Sequence, residues 1–217
     1  MSLDAGPPAE PTLAATGRGL PAAADPGLPA GVTIGAALGA DLPAIRRAVR
    51  AAFGHDLEAR LVERLEREGR VQVSVVARAG DEVVGHAMLS RVALVPAGPA
   101  RPDAAGPDAA GLDVARPALA LAPVAVVPER QRRGIGSALV RTCLALAGPR
   151  LPVFVIGAPG FYGRFGFVPA EPCGIASRFE VPLGHFMVRP GATHAGGGGA
   201  GDPAPPPRLL DYPPAFG

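Results

Sequence analysis

Hydrophobic residues recur at helical spacing in three parts of the chain. Their positions are Leu42, Ile45, Val49 and Phe53, then Leu57, Leu61 and Leu65, and finally Ile135, Leu139, Cys143 and Leu146. Steps of three and four residues place side chains on one face of a helix. Asp41 precedes the first run and is a residue type that N-caps helices. The pattern therefore predicts three amphipathic helices.

Other segments have the pattern of strands. In 71–75, valines alternate with Gln72 and Ser74, which predicts a half-buried strand, and a turn at 79–82 leads to a returning strand over 83–89. Apolar or β-branched runs predict further strands at 32–34, 119–127, 152–156 and 186–188. The short apolar run at 152–156 is typical of a central strand, and 161–165 of a short helix or turn. We expect Leu209, Leu210 and Tyr212 to dock on the domain.

Glycine and proline set the expected domain boundaries. The chain has 217 residues, of which 30 are glycine and 27 proline, and they concentrate in three segments. Residues 1–30 contain almost no large apolar side chain, so we expect a disordered tail there. We expect residues 31–217 to form a single domain, with a flexible loop at 96–117 and a Gly/Pro-rich segment at 190–207. The length is sufficient for one full core.

Charge and cysteine content exclude several functions. The 21 basic residues, all arginine, nearly balance 19 acidic ones, which argues against a nucleic-acid surface. Two cysteines cannot build a disulfide framework or a metal cage, so we expect no metal. The first residues lack the pattern of a signal peptide, and no run has the roughly 18 apolar residues of a membrane helix. We expect a cytoplasmic protein.

The segment after the strand at 119–127 has the features of an anion site. A turn containing Gly134 and Gly136 leads into a helix whose first N–H groups have no partner within the helix. The helix dipole adds positive charge there, and residues without a Cβ atom let a phosphate approach the backbone. Arg130, Arg132 and Arg133 add formal charge. From this spacing alone, a plain tight turn remains an alternative.

Two motifs indicate a family. Gln131-x-x-Gly134-x-Gly136 resembles the pyrophosphate loop of the GNAT superfamily of N-acetyltransferases, and Phe161–Pro169 resembles its Y-x-x-x-G-F segment. The second motif is similar to the YhbS-like bacterial enzymes and to arylalkylamine N-acetyltransferases. The lead-in at 157–159 and the residues 212–216 look more like the YhbS-like branch. The resemblance covers roughly residues 31–189.

The resemblance implies a mixed, twisted α/β sheet of the GNAT fold, with helices on both sides and acetyl-CoA between strands 119–127 and 152–156. It implies acetyl transfer to a primary amine of a small molecule or peptide by direct attack in a ternary complex. The implied general acid is Tyr162, which would protonate the departing thiolate. The expected cofactor-binding residues are Val124, Ala125, Val126, Gln131, Arg132, Arg133, Gly134, Ile135, Gly136 and Ser137.

The general base and the acceptor stay open at this stage. His86 is the best single candidate for a base, and it is equally well explained as a hydrogen-bonded strand histidine. His55 and Asp56 lie where relatives often build the acceptor pocket, and deprotonation through water is a further alternative. A CoA-binding sensor without catalysis, or a partner-binding protein using the Pro/Gly arms, also remains. Neither Cys143 nor Cys173 is expected to act as a nucleophile.

Overall fold

The computed structural model describes residues 27–97, 115–192 and 207–216. Its helices are α1 (Leu42–Phe53), α2 (Leu57–Arg67), α3 (Ile135–Ala147) and the single turn α4 (Pro159–Tyr162). Its strands are β1 (Val32–Ala36), β2 (Val71–Ala79), β3 (Glu82–Pro96), β4 (Arg116–Val126), β5 (Val153–Ile156), β6 (Val168–Pro169), β7 (Ile175–Ser177), β8 (Phe186–Arg189) and β9 (Arg208–Asp211). The helices, the hairpin and the strands predicted from the sequence are all present.

The described strands form one mixed sheet. Its order is β1-β2-β3-β4-β5-β8-β6, and β9 pairs with both β3 and β7. The pairs β4–β5 and β7–β9 are parallel, and the other pairs are antiparallel. Helix α3 packs on one face of β2 to β4, whereas α1 packs on the other face against β3 and β4. This confirms the predicted α/β architecture and the interior place of β5.

The strands β4 and β5 separate soon after they meet. Their parallel register includes only Leu119 with Val153 and Ala120 with Phe154. Farther along β4, a shift in the register with β3 places two residues, Ala122 and Pro123, opposite one. Such a bulge bends its strand and increases the local twist. Beyond the bulge, β4 has one edge that no strand of the described residues covers, which opens the gap predicted between these two strands.

Two details differ from the sequence prediction. The strand β2 is buried on both faces, because helices cover both sides of the sheet, so the half-buried prediction is wrong and Ser74 is 8% exposed. The segment 96–117 is shorter as a loop than predicted, because β3 extends to Pro96 and β4 begins at Arg116. Pairing of 93–96 with β9 extends β3. The rest of the predicted loop, and most of 190–207, lies outside the described residues.

Both outer segments of the described chain pack on the domain. Leu28 packs against the core cluster that contains α3, and the carbonyl of Pro29 accepts a hydrogen bond from Val32 at 3.1 Å. The described chain thus starts four residues before the expected domain boundary, and residues 1–26 lie outside it. At the other end, Tyr212 is 5% exposed. The predicted docking of residues 209–212 is confirmed.

Candidate active site

The loop between β4 and α3 forms a concave backbone surface. Arg132 has a φ of 58° and Gly134 a φ of 88°, both in the left-handed region. Alternation of left- and right-handed residues turns successive N–H groups toward one side, and such concavities bind anions. The buried side chain of Ile135 anchors the start of α3 in the core. The loop thus adds an anion-binding surface to the positive end of a 13-residue helix.

Gly85 on β3 allows this helix to lie close to the sheet. A Cβ atom at Gly85 would be 3.0 Å from Leu139 Cδ1 and 3.0 Å from the carbonyl oxygen of Ala125. Both contacts are tighter than ordinary van der Waals contact. The absence of a side chain at this position therefore lets α3 lie close to β3, beside the strand that leads into the anion loop.

A cleft of about 510 Å³ opens over this loop. Two arginines and no acidic residue are among its described lining residues, which are Val124, Val126, Gln131, Arg132, Gly134, Gly136, Ser137, Phe161, Tyr162 and Arg164. Positive charge and helix N-terminal N–H groups that have no partner inside the helix suit a diphosphate. A Cβ atom at Gly136 would lie 3.7 Å from both Phe161 and Val126, so a larger side chain there would project into a space that is now open.

The free edge of β4 forms one wall of the cleft. The Val127 N–H donates to the Val84 carbonyl, so residue 127 faces β3. Gln131 Nε2 donates to the Val126 carbonyl at 3.0 Å, on the opposite side. Because main-chain groups alternate along a strand, Val124 and Val126 face the gap, whereas Ala125 faces β3.

The structure brings most of the predicted site residues together. Seven of the ten predicted cofactor-binding residues line the cleft with Tyr162. The side chains of Ala125 and Ile135 are buried in the core, and Arg133 is exposed outside the lining. Sequence reasoning missed Phe161 and Arg164. Both residues belong to the motif at 161–167, which could have indicated them. The Arg164 guanidinium lies 4.8 Å from the Phe161 ring centre.

Tyr162 is held by glycine and aromatic neighbours. A Cβ atom at Gly157 would lie 2.3 Å from Tyr162 Cε2, so the ring rests directly on the backbone there. The rings of Phe161 and Phe167 meet it edge-on, with centroids at 4.9 and 5.8 Å. Burial raises the pKa of Tyr162 to about 12, so the phenol is protonated at neutral pH. A free thiol has a pKa of about 8.5, which makes hydrogen-bond donation to a thiolate easier than full proton transfer.

A second cleft, of about 350 Å³, lies on the other side of Tyr162. Its described lining is Phe53, Glu58, Leu61, Ala120, Leu121, Ala122, Pro123, Val124, Phe154, Val155, Ile156, Tyr162, Phe179, Tyr212 and Phe216. Only Val124 and Tyr162 belong to both clefts. Sequence reasoning did not single out Glu58, which lies in the first turn of α2.

The predicted base candidates lie outside both linings. His86 is fully buried, with Nε2 3.0 Å from Ser74 Oγ, and burial lowers its pKa to about 4. His55 Nδ1 lies 3.0 Å from Glu58 Oε2, and Asp56 pairs with Arg50. These positions make His86 a structural histidine of the sheet.

The two cysteines differ in exposure. Cys143 is buried, and burial raises its pKa above the ordinary value, whereas Cys173 is exposed. Within the described ranges, no three His, Cys, Asp or Glu side chains are grouped so that they could hold a metal ion. No helix in those ranges is long and apolar enough to cross a membrane.

The family model of the GNAT acetyltransferases matches residues 42–167, which include the motif at 131–136 and residues 161–167 of the second motif. The chain belongs to the GNAT acetyltransferase family. This confirms the resemblance found in the sequence and makes the chain an acetyltransferase by family. It is also 32% identical over 155 residues to an uncharacterized N-acetyltransferase of Escherichia coli, YjhQ, covering 67% of this chain and 75% of that protein.

Solved GNAT structures have the same fold. YhbS from Escherichia coli in complex with CoA superposes with a TM-score of 0.66 at 24% identity, covering 85% of this chain and 91% of that one. A GNAT acetyltransferase from Brucella melitensis in complex with acetyl-CoA gives 0.58 at 26% identity, covering 86% and 98%. The predicted GNAT fold is therefore confirmed.

Proposed function

We propose that this GNAT protein transfers the acetyl group of acetyl-CoA to a primary amine of a small molecule or peptide, by direct attack in a ternary complex. The observation that carries the proposal is the meeting of two clefts at Tyr162. One cleft has the N–H groups and arginines of an anion site, and the other is largely apolar. Two substrates can therefore be bound at once, on either side of one phenol.

The cofactor side of the proposal rests on the loop and on the β4 edge. The N–H groups at the start of α3, together with Arg132, would hold the diphosphate. The main-chain groups of Val124 and Val126 that face the gap would pair with the amides of the pantetheine arm, as a strand edge pairs with a peptide. Gln131 fixes this edge through its bond to the Val126 carbonyl.

The same strand supplies a donor for the reacting carbonyl. Pro123 has no N–H group, so Val124 carries the first N–H that faces the gap beyond the bulge. A donor placed at the carbonyl oxygen stabilises the negative charge that develops there during acyl transfer. We assign this role to the Val124 N–H.

In the transfer, the neutral amine nitrogen attacks the thioester carbonyl, a C–N bond forms and the C–S bond breaks. The proton of the original ammonium leaves to solvent before the attack. The leaving thiolate is stabilised by the Tyr162 hydroxyl, which donates a hydrogen bond and whose burial keeps it protonated. The second proton of the amine is lost as the amide forms, and the thiolate is protonated to CoA.

Thiol release from acetyl-CoA in the presence of a panel of primary amines tests the proposal. We expect acceptor-dependent release by the full chain and the mass of an acetylated amine. Binding of acetyl-CoA in calorimetry without acetylation of any amine would favour a sensor. No acetyl-CoA binding at all would overturn the proposal.

A further inference from the structure

The walls of the second cleft are mostly aromatic and aliphatic side chains. Phe179, Tyr212 and Phe216 form a continuous aromatic series, with ring centroids 4.9 Å apart in the first pair and 4.8 Å in the second. Phe53 and Leu61 extend the apolar surface from the helices α1 and α2. A ligand with an apolar body would bury surface against these walls, whereas hydroxyl or amide groups would lose their hydration without finding partners.

One acidic side chain interrupts this apolar lining. Glu58, in the first turn of α2, is the only acidic or basic residue in the described lining. Burial raises the pKa of Tyr212 to about 12, so Tyr212 is neutral like Tyr162. Glu58 Oε2 is buried, lies 3.0 Å from His55 Nδ1 and makes no hydrogen bond of good geometry within the described residues.

A partly desolvated carboxylate among aromatic rings is suited to a single cation. The ammonium would gain a charge-assisted hydrogen bond from the carboxylate and attraction from the ring faces. A second cation on the ligand would be desolvated without a partner. A carboxylate on the ligand would be repelled by Glu58. The volume is near the lower end of the range of roughly 300–1,000 Å³ for ligand pockets, which favours a compact molecule.

We infer that the acceptor is a compact primary amine with one positive charge and an apolar, preferably aromatic body, and that Glu58 binds its ammonium form before the proton leaves and the neutral nitrogen attacks. The inference rests on the proposed acetyl transfer for its kinetic consequences, and on the cleft alone for the binding of the amine. The inference predicts that polyamines, aminoglycosides and amino acids are poorer acceptors than such an amine.

A substrate comparison tests the class. The probes are 2-phenylethylamine, phenylalanine, spermidine and kanamycin, each titrated in the thiol-release assay with saturating acetyl-CoA. We expect kcat/KM to be highest for 2-phenylethylamine, and lower for phenylalanine because its added carboxylate faces Glu58. A higher kcat/KM for spermidine or kanamycin would overturn the class.

Three variants test the anchor. Glu58→Gln should raise the KM for 2-phenylethylamine about 10- to 100-fold, the range for loss of a hydrogen bond to a charged group, and Glu58→Asp should recover part of it. The control is Glu63→Gln on the same helix, which pairs with Arg46 outside the cleft and should leave KM unchanged. Glu58→Gln should also reduce the preference for 2-phenylethylamine over phenylalanine. A merely structural role would leave that ratio unchanged and would contradict the anchor.

Failure of the inference can be separated from failure of the proposed function. Calorimetry of 2-phenylethylamine into the CoA-saturated protein measures binding without turnover. Binding that weakens in Glu58→Gln supports the inference even if no acetyl group is transferred. Transfer to other amines with no binding of 2-phenylethylamine would overturn the inference and leave the proposed function standing.

Discussion

Among the residues that the structure describes, Tyr162 is the one ionisable side chain that borders both clefts. Its ring is fixed by the backbone of Gly157 and by two edge-on phenylalanines, so the hydroxyl has a defined position. Burial raises its pKa to about 12. A phenol in this state donates a hydrogen bond over the whole physiological pH range, and changes in rate between pH 6 and 9 must arise from other groups.

Replacement of Tyr162 by phenylalanine removes the donor and keeps the ring. We expect kcat to fall about 10²- to 10³-fold, the usual loss when one hydrogen-bond donor to a developing negative charge is removed, with the affinity for acetyl-CoA nearly unchanged. The loss should be similar from pH 6 to 9, because the phenol stays protonated throughout that range. Steady-state rates between pH 6 and 9 with a verified acceptor measure this. A wild-type kcat across that range would leave Tyr162 as a packing residue.

His86 gives a pH dependence of stability. Burial lowers its folded-state pKa from 6.5 to about 4, so between these values the unfolded chain binds a proton that the folded chain does not. The free energy of unfolding should therefore fall with decreasing pH in this interval, by about 3 kcal/mol from this residue. Urea unfolding at pH 4 to 7 measures it.

The matched variants for this prediction are His86→Gln and His185→Gln. Glutamine at position 86 keeps a polar partner for Ser74 and removes the titration, so its stability should depend less on pH. His185 lies on the surface, and its replacement should leave the wild-type slope. Equal slopes in all three proteins would show that another group causes the acid sensitivity.

For the prediction of site residues, sequence motifs were more informative than single residues. The anion loop and Tyr162 were found because their spacing is tied to a backbone geometry that a sequence displays directly. Glu58 was missed because an acid in a first helical turn is ordinary, and only the tertiary structure places it against β4, β5 and Tyr212. Ser74 was misassigned because alternation cannot show that a second helix covers the other face of the sheet.

Among the elements, α3 contributes most to the cofactor side. Gly136→Val should abolish acetyl-CoA binding with little loss of stability, because its Cβ atom has ordinary contacts and its methyl groups would enter the cleft. Gly35→Val in β1 is the control, since a Cβ atom there meets no atom within 4 Å. Calorimetry with acetyl-CoA and thermal unfolding compare the two. Unchanged affinity in a folded Gly136→Val protein would remove the loop from the site.

Elements with a clear local period were predicted correctly, and their extensions were not. The helices α1 to α3 and the β2–β3 hairpin follow from spacing within a few residues. The continuation of β3 to Pro96 depends on β9, which lies more than 100 positions farther along the chain. Nothing in the local pattern around Leu94 indicates that partner, so the sequence predicted this strand only over 83–89.

At the scale of the whole molecule, residues 27–31 before β1 pack on the domain. Leu28 packs on the core, and a Cβ atom at Gly134 would come within 2.2 Å of the Gly27 carbonyl oxygen. We expect deletion of residues 1–26 to leave stability and acetyl-CoA affinity unchanged. Deletion of 1–30 should lower the unfolding free energy by about 1 kcal/mol, because it exposes the apolar surface that Leu28 covers. Thermal unfolding and calorimetry of both proteins test this, and equal behaviour would contradict it.

The two clefts have only Val124 and Tyr162 in common. We therefore expect substitutions at Phe53, Leu61 or Phe216 to change which amine binds without changing the affinity for acetyl-CoA. Such positions can be substituted one at a time, because we expect each variant to keep its affinity for acetyl-CoA. The range of accepted amines can then change without compensating substitutions elsewhere. In a library of variants confined to the aromatic walls, we expect a high fraction of the proteins to bind acetyl-CoA.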